Sequence, residues 1–547
     1  MVEVTKANFE EILPQVESSI WNASFIAMDT EFTGLTLENS NEIRLFDTLD
    51  SRYQKLKSRA SNFIPCQIGL STFTKHQNKN LYLVETFIFY VRPCLSGSCD
   101  KRFMFQASAV DFLCKYDFDF NKFFKEGIPY INEAQEHQLH EEIKDGTIQY
   151  TYRNLMDLSS RRKLDVQINS FVNMTSIPKS VKSCAGDESA KEVEQLVLEQ
   201  DSLCPVYFQL NELRYKYPSL WAYAENNKII VKKVSPEQRK EFESQLQSEE
   251  ELLLNYFLGF TKVFRILKKA KKPMVGHNVL MDLLLFMNSF HNPLPDTYKE
   301  FKKELHSLFP VLYDTRHIWR HVKKHYKLKD IPKQCGLFEL QEMFQRLPKA
   351  LATLYSPDFQ HCNGEKYLNG EFPHESGYDS FVTGWVFLKI CHVLAMQNIK
   401  STVHAEPQTL KQHLKAVQPF VNKLNIGRSR EFYIDVENAD PMPVVPDLLH
   451  ISRKDGKPIL NQTQLSRLLN NYGMIDVKLL SNKKGAVIAV GSLGSYKDIL
   501  RGFGKNDEFV VTKYSVLKHT PAIQSALWLT VAGTSCVVAF LVFKLFS

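Results

Sequence analysis

The stretch FIAMDTEFTGL, residues 25–35, decides the fold of this chain. Its apolar run, closed by Gly34, predicts a buried strand followed by a turn. Side chains alternate between the two faces of a strand, so Asp29 and Glu31, two residues apart, point the same way. Burying a carboxylate is costly unless it is paired or binds a metal. We therefore expect these two acids to form part of a functional site.

Two further acids occur in apolar surroundings. Asp282 lies in GHNVLMDLLLF (276–286), which predicts a strand, a turn and a helix with Asn278 as its N-cap. Asp379 lies in HESGYDSFVTGW (374–385), near the predicted start of a long buried helix, five residues after His374. Open α/β sheets place their sites at one end of the sheet. We expect the four acids to meet there.

The chemistry of this set indicates divalent cations. Adjacent carboxylates repel one another and burial raises their pKa values, whereas a bound cation reverses both effects. Oxygen ligands favour Mg²⁺ or Mn²⁺ over zinc. Two such ions, about 3.5–4 Å apart, activate a water and stabilise the leaving oxygen of a phosphodiester. His374, with an ordinary pKa of about 6.5, is the predicted general base.

The composition of the chain limits its number of domains and its class of protein. The 547 residues suffice for roughly two to four domains, and 44% hydrophobic with 24% charged residues is typical of folded soluble protein. The net charge of +7 is compatible with a polyanionic partner. The ten cysteines show no CxxC pair, and the N-terminus lacks a signal-peptide pattern. These features predict reduced thiols, without a disulfide framework or a zinc site.

The order of predicted strands and helices indicates an α/β layer architecture with extra domains. We expect a first half over residues 1–150, an inserted small domain over 151–248 and a second half over 249–400. Residues 401–515 contain strand, helix, strand, strand, helix and strand, the order of an RNA-recognition fold. Their central strands carry no exposed aromatic residues for base stacking, so packing against the rest of the chain and RNA binding both stay open.

The C-terminal segment differs from the rest of the chain in its long uncharged stretch. Residues 522–543 contain no charged side chain and are long enough to cross a bilayer as a helix. This predicts a tail anchor, with the bulk of the protein facing the cytosol from the endoplasmic reticulum or the mitochondrial outer membrane. A buried core helix is the alternative.

Taken together, these motifs resemble the DEDDh class of 3′–5′ exonucleases. The segments CQIGLSTF (66–73), DFDFNKFFKEGIPYI (117–131) and VLYDTRHI (311–318) narrow the resemblance to the poly(A)-specific ribonuclease family of deadenylases. It covers about 1–150 and 250–400. The uncharged tail is similar to that of the membrane-anchored branch, which trims piRNA 3′ ends in germ cells.

The resemblance implies a ribonuclease H-like fold and Mg²⁺-dependent shortening of single-stranded RNA from its 3′ end to 5′-mononucleotides, on pre-piRNA or poly(A), with Mn²⁺ as the other metal. Carried over by position, Asp29, Glu31, Asp282 and Asp379 match the metal-binding acids and His374 the catalytic histidine. A second group matches RNA-contacting positions: Phe32, Leu35, Asn278 and Arg316. A membrane-bound Tudor/KH-domain scaffold and PIWI–piRNA complexes are the partners that the resemblance implies.

The inserted domain departs from the family's sequence pattern at one position. In the family this domain carries an Arg and a His four residues apart, whereas RYKYP (214–218) places Pro218 where the His would follow Arg214. RNA binding by the insertion is therefore not expected, and substrate would be delivered by a partner. A catalytically silent RNA-binding scaffold, a general mRNA deadenylase and a DNA exonuclease are the alternative functions. The sequence leaves the oligomeric state open.

Overall fold

The computed structural model describes residues 2–37, 42–93, 101–148, 165–172, 195–199, 206–225, 228–244, 246–325, 336–346, 354–364, 366–367, 370–397, 406–442, 448–515 and 518. The predictions for the tail at 522–543 fall outside these described residues.

A mixed sheet forms the centre of the molecule. Its main path runs β1-β4-β3-β2-β9-β10, and β5 and β11 also pair with β4. The strands are β1 (Val2–Val4), β2 (Phe25–Phe32), β3 (Pro65–Lys75), β4 (Leu81–Pro93), β5 (Ile128–Tyr130), β9 (Met274–Gly276), β10 (Leu312–Asp314) and β11 (Asp358–His361). Strand β2, which the sequence predicted, lies inside the sheet between antiparallel β3 and parallel β9. The predicted α/β class is confirmed.

Helices cover both faces of this sheet. In the first half they are α1 (Phe9–Asn22), α2 (Leu49–Asn62), α3 (Ala107–Lys115) and α4 (Glu133–Lys144). In the second half they are α7 (Leu246–Leu258), α8 (Thr261–Ala270), α9 (Leu280–Phe286), α10 (Tyr298–Leu308), α11 (Thr315–His325), α12 (Leu337–Arg346) and α13 (Ser376–Gln397). Helix α6 (Pro236–Glu243) packs instead on the insertion, where Phe242 stacks on Trp221. Ile26 and Met28 face one apolar core, and Phe25 and Ala27 face the other. This is the alternation that a strand buried on both sides requires.

Helix α13 lies directly against β3. An added Cβ on Gly69 would meet the backbone oxygen of Ser376 at 1.9 Å, so only glycine permits this approach. Gln67 Oε1 accepts a hydrogen bond from Ser376 N at 3.0 Å, and the hydroxyls of Ser71 and Ser380 lie 2.8 Å apart. These contacts fix where the first turn of α13 sits on the sheet.

The inserted region contains a small sheet of its own. Strands β6 (Gln195–Glu199), β7 (Leu220–Glu225) and β8 (Lys228–Lys233) pair in the order β6-β8-β7 and pack with α5 (Val206–Lys216). Arg214 is 4% exposed. Its guanidinium stacks on Trp221 at 4.0 Å and donates to the carbonyl of Ala222. This arginine therefore serves the packing of the insertion, and its charge is withdrawn from the surface.

The segment after α13 belongs with the central sheet. Helix α14 (Leu410–Val417) and the hairpin β12 (Lys423–Asn425) and β13 (Tyr433–Asp435) contribute to the two main cores. Val417 and Leu424 are fully buried there. The predicted boundary at residue 400 consequently cuts through one packed unit. It was wrong because local composition does not reveal this long-range packing.

A second, four-stranded antiparallel sheet follows. Its strands β14 (Leu449–Arg453), β15 (Ile475–Leu479), β16 (Gly485–Val490) and β17 (Phe509–Lys513) pair in the order β15-β16-β14-β17, with helices α15 (Gln462–Leu469) and α16 (Leu493–Phe503). On the face opposite its own core, Val487 and Ala489 are only 6% and 1% exposed. Asp476 on the same face accepts a hydrogen bond from Leu45 N at 2.6 Å. The rest of the chain therefore covers part of this face.

Two local predictions were wrong. The periodicity of residues 107–131 predicts one helix that stops at Gly-Ile-Pro, but the helix ends at Lys115, because Asp117 adopts a left-handed conformation (φ 56°), and a π-helical turn (Lys122–Glu126) and β5 follow. Asn278 is not an N-cap: it is itself left-handed (φ 63°), and Val279 occupies the cap position of α9.

Among the described residues one helix is long and apolar enough to span a membrane, Ser376–Met396, but 83% of its most apolar window is buried inside the protein. It is the core helix α13.

Candidate active site

Strand β2 provides the first two acids. Asp29 pairs with Gly69 and Glu31 with Gln67 across the β2–β3 ladder, and a register irregularity follows Glu31. Both acids therefore lie near the carboxyl end of β2, on the face that α13 covers. The absence of a side chain at Gly69 leaves space for the first turn of α13 beside them.

Asp282 reaches the site from the first turn of α9 and is 8% exposed. The start of that helix is held by Asp314, which is fully buried at the end of β10. The Asp314 carboxylate accepts hydrogen bonds from five backbone N–H groups: those of Asn278, Val279, Arg316, His317 and Asn425. It thus caps two helices and holds β12 beside them, which fixes the position of Asp282.

Asp379 and His374 approach from the opposite side. Asp379 lies in the first turn of α13 and is 6% exposed. Its Oδ1 accepts a hydrogen bond from His374 N at 3.1 Å, and its Oδ2 lies 3.9 Å from His374 Nδ1. His374 adopts a left-handed backbone conformation (φ 67°), which is uncommon for a residue with a side chain. The hydrogen bond to Asp379 helps to hold it there.

The acids interact strongly. Burial raises the pKa of Asp29 to about 7. Burial, then the charges of Asp29 and Asp282, raises the pKa of Glu31 well above its usual range. The pKa values of Asp282 and Asp379 are raised first by burial and then by the Asp29 charge. All four carboxyl groups therefore share one electrostatic environment.

This arrangement fits a cation site. Ligand atoms of Glu31, His374 and Asp379 all lie within 4.8 Å of one another. Without a cation, the cluster suffers both desolvation and mutual repulsion, and a divalent ion bound by these oxygens would relieve both. The set consists of carboxylates with one imidazole, and such oxygen-rich ligation suits Mg²⁺ or Mn²⁺.

The His374 side chain lies beside the acids and packs against three aromatic rings. Its ring centroid lies 4.7 Å from that of Phe112, 4.2 Å from Tyr116 and 5.5 Å from Phe338. Burial, with the nearby Lys115 charge, lowers the pKa of His374 below its ordinary 6.5. The imidazole is therefore neutral at neutral pH, the form that can accept a proton.

The four residues predicted to contact RNA lie in two places. Phe32 ends β2, and Leu35, just beyond it, is 50% exposed. Asn278 and Arg316 lie together, since both donate their backbone N–H to Asp314. The Asn278 side chain also accepts a hydrogen bond from Asn425 Nδ2 at 2.6 Å.

The family model for CAF1 family ribonucleases matches residues 4–387. The chain belongs to this ribonuclease family. It is 30% identical to the pre-piRNA 3′-exonuclease trimmer of Bombyx mori, over 100% of this chain and 99% of that protein. It is also 30% identical to the poly(A)-specific ribonuclease PNLDC1 of Mus musculus, over 99% of both, and to PARN of Xenopus laevis, over 89% of this chain and 76% of that protein.

A solved structure of Pop2p from S. pombe in an Mg²⁺- and Mn²⁺-bound form also matches, with a TM-score of 0.34 and 15% identity over 71% of this chain and 91% of that chain. The relatives at 30% identity confirm the family predicted from the sequence, its poly(A)-specific branch included. This ribonuclease is accordingly a 3′–5′ exoribonuclease.

Sequence reasoning missed several residues beside the ribonuclease site. Asp314 was quoted only as part of a family segment, although an acid directly after a buried strand could have indicated a helix-capping role. Asn425 gave no signal, because it reaches Asn278 only through the pairing of a distant hairpin with the main fold.

Proposed function

We propose that Asp29, Glu31, Asp282, Asp379 and His374 form a two-metal site that removes nucleotides from the 3′ end of single-stranded RNA and releases 5′-mononucleotides. The observation that carries this proposal is the convergence of four acids, all with raised pKa values, beside a neutral histidine. When bound, Mg²⁺ or Mn²⁺ supplies an activated water and stabilises the leaving oxygen.

The protein's own residues provide metal binding, proton transfer and substrate positioning. Oxygens of the four acids would hold the cations beside the terminal phosphate. The neutral imidazole of His374 takes a proton from the attacking water, as a general base with a pKa near or below neutrality does. Asp379 positions His374 through the hydrogen bond to its backbone N–H. Phe32 and Leu35 line the terminal nucleotides, and Asn278 and Arg316 contact the RNA chain.

For the natural substrate we propose pre-piRNA in germ cells. The support is a relative named as a pre-piRNA 3′-exonuclease trimmer that matches this chain over its full length. Poly(A), through general mRNA deadenylation, is the second candidate, because other relatives are named poly(A)-specific ribonucleases.

We further propose that the accessory domains do not capture RNA themselves. The four-stranded sheet has the strand order of an RRM-like domain, but part of its open face is covered. In the insertion, Arg214 is stacked on Trp221. A membrane-bound Tudor/KH-domain scaffold would then deliver PIWI-bound RNA. RNA crosslinking that maps to either accessory domain would argue against this.

We also propose that residues 522–543 anchor the protein in the endoplasmic reticulum or mitochondrial outer membrane, with its bulk facing the cytosol. The support for a membrane span is that this segment is uncharged and long enough to cross a bilayer. Deletion after Thr520 should release the protein from membranes. Retention of the shortened protein in an alkali-resistant membrane fraction would disprove the anchor.

The test of the proposed function uses 5′-labelled RNA with a short 3′ extension. The purified protein should shorten it stepwise from the 3′ end, and Asp379→Ala should abolish shortening while leaving the protein folded. Asp296→Ala, at an exposed acid, is the matched control. Wild-type protein that binds RNA without shortening it would instead support a catalytically silent scaffold, and equal rates on DNA would favour a DNA exonuclease.

A further inference from the structure

A separate polar cavity of about 320 Å³ lies beside the start of α4. Its walls include Lys101, Tyr130, Asn132, Gln138, Asn288 and Ser289. A volume of this size is within the range of small-ligand pockets. Lys101 is the one charged side chain among the described residues that line it.

Two neighbouring hydroxyl groups in the cavity wall have no partner outside their own pair. Tyr130 and Ser289 are each 2% exposed, and neither hydroxyl bonds to any other group within the described part of the chain. Burial raises the pKa of Tyr130, and the Ser289 hydroxyl partly opposes that rise, so the two groups are neighbours. Buried hydroxyls normally find a partner, because an unsatisfied one costs stability. Such a pair, facing a cavity, has hydrogen-bonding capacity left for a polar ligand.

The remaining wall is already fixed. Asn132 Nδ2 donates to the carbonyl of Asn288 at 3.2 Å, and Asn288 Nδ2 donates to the carbonyl of Ala60 at 2.9 Å. Burial lowers the pKa of the Lys101 ammonium to about 8, which an anionic ligand would reverse. The groups that face the cavity for a ligand are thus the Lys101 ammonium, the Tyr130–Ser289 hydroxyl pair and the Gln138 amide, a donor-rich set that recognises anionic oxygens.

We propose that this Lys101 cavity binds the phosphate group of a nucleotide. It is distinct from the acid cluster, because none of the four acids and not His374 is among the residues that line it. The inference goes beyond the proposed function and rests on it only for the source of the nucleotide, which is either a released 5′-mononucleotide or a backbone phosphate of the RNA.

The test measures binding by calorimetry with the full-length protein in detergent and EDTA. Without divalent cations the acid cluster repels phosphate, so binding reports on the Lys101 cavity and needs no catalysis. The probes are 5′-AMP and a short single-stranded RNA. We expect saturable binding of at least one probe, weakened roughly tenfold or more by Lys101→Met or Tyr130→Phe.

Controls separate binding from folding. Lys101→Arg should retain affinity. Tyr130→Phe should change the melting temperature of the ligand-free protein only slightly, because its hydroxyl has no partner to lose besides Ser289. Tighter binding of 5′-AMP identifies a mononucleotide site, and tighter binding of RNA identifies a backbone phosphate site. Absence of saturable binding, or equal affinity in wild type, Lys101→Met and Tyr130→Phe, would overturn the proposal, whether or not the protein cleaves RNA.

Discussion

At the scale of single residues, burial of the acid cluster lowers the stability of the metal-free protein. Asp282 and Asp379 are almost fully buried, and each feels the charge of Asp29. A fold that needed only stability would place apolar side chains there. Such burial is costly unless a cation offsets the charge, which is why the arrangement of these acids indicates function.

The pH dependence of stability tests this interpretation. The folded-state pKa of Asp29 is raised to about 7, so the folded protein holds this proton between about pH 4 and pH 7, where the unfolded chain has lost it. Metal-free protein should therefore lose stability as pH rises through that window. Asp29→Asn cannot ionise, and at pH 8 in EDTA it should be more stable than wild type by ~2 kcal/mol.

The measurement is thermal unfolding at pH 5.5 and pH 8, with and without Mg²⁺. Mg²⁺ should stabilise wild type, more strongly at pH 8, and should stabilise Asp29→Asn much less. Asp296→Asn, at an exposed acid, should follow wild type. Equal stability of wild type and Asp29→Asn at pH 8 in EDTA would show that the buried Asp29 charge does not destabilise the metal-free protein.

His374 has a different expected role from the acids. His374→Ala should lower the rate constant for cleavage by about 10²–10⁴-fold, the usual contribution of a general base. The Mg²⁺ concentration for half-maximal activity should stay similar, because the four acids remain. His137→Ala, at an exposed histidine of α4, should leave the rate unchanged. A large shift in Mg²⁺ requirement for His374→Ala would instead identify this histidine as a metal ligand.

At the scale of secondary-structure elements, glycine sets the distance between sheet and helix. A Cβ on Gly69 would lie 1.9 Å from the oxygen and 2.2 Å from the carbonyl carbon of Ser376. Gly69→Ala should therefore displace the start of α13 and Asp379 with it. We expect a loss of about 1–3 kcal/mol in stability and a fall in activity of at least roughly tenfold.

Gly427→Ala is the control, because no atom lies within 4 Å of a Cβ at that position. Steady-state trimming rates and urea unfolding of both variants check the prediction. Wild-type activity in Gly69→Ala would mean that the contact between β3 and α13 does not determine the position of Asp379.

Elements with a strong local pattern could be predicted from the sequence, and those that depend on distant contacts could not. The apolar runs around Asp29 and Asp379 predicted β2 and α13 correctly. Proline favours the first turn of a helix, and Pro236 does begin one. The helix expected after residue 107 was too long, and Asn278 was wrongly chosen as an N-cap, because left-handed residues interrupt both segments.

The candidate site also contains residues that local motifs predict and residues that depend on distant contacts. Asp29, Glu31, Asp282, Asp379 and His374 were all proposed from local motifs, and the structure brings them together. The Asp314 carboxylate, which joins the starts of α9 and α11 to Asn425, depends on three segments far apart in the chain. No single stretch of sequence contains that information.

At the scale of the whole molecule, the C-terminal region is tied to the catalytic half. Arg428 donates to Asp476 at 2.5 Å, and Asp476 also accepts from Leu45 N, ten residues beyond Leu35. The buried Arg52 donates to the carbonyl of Gly427 at 2.6 Å. The four-stranded sheet is thus attached to the catalytic half of the chain through these polar contacts.

The central claim is that the buried acids hold divalent cations that cleave RNA from its 3′ end. The most direct test measures trimming of 5′-labelled RNA by the full-length protein over a Mg²⁺ titration that starts in EDTA. Wild type should be inactive in EDTA and should shorten the RNA stepwise as Mg²⁺ is added, whereas Asp379→Asn should stay inactive at every concentration. Trimming by wild type in EDTA, or an unchanged Mg²⁺ response in Asp379→Asn, would contradict the claim.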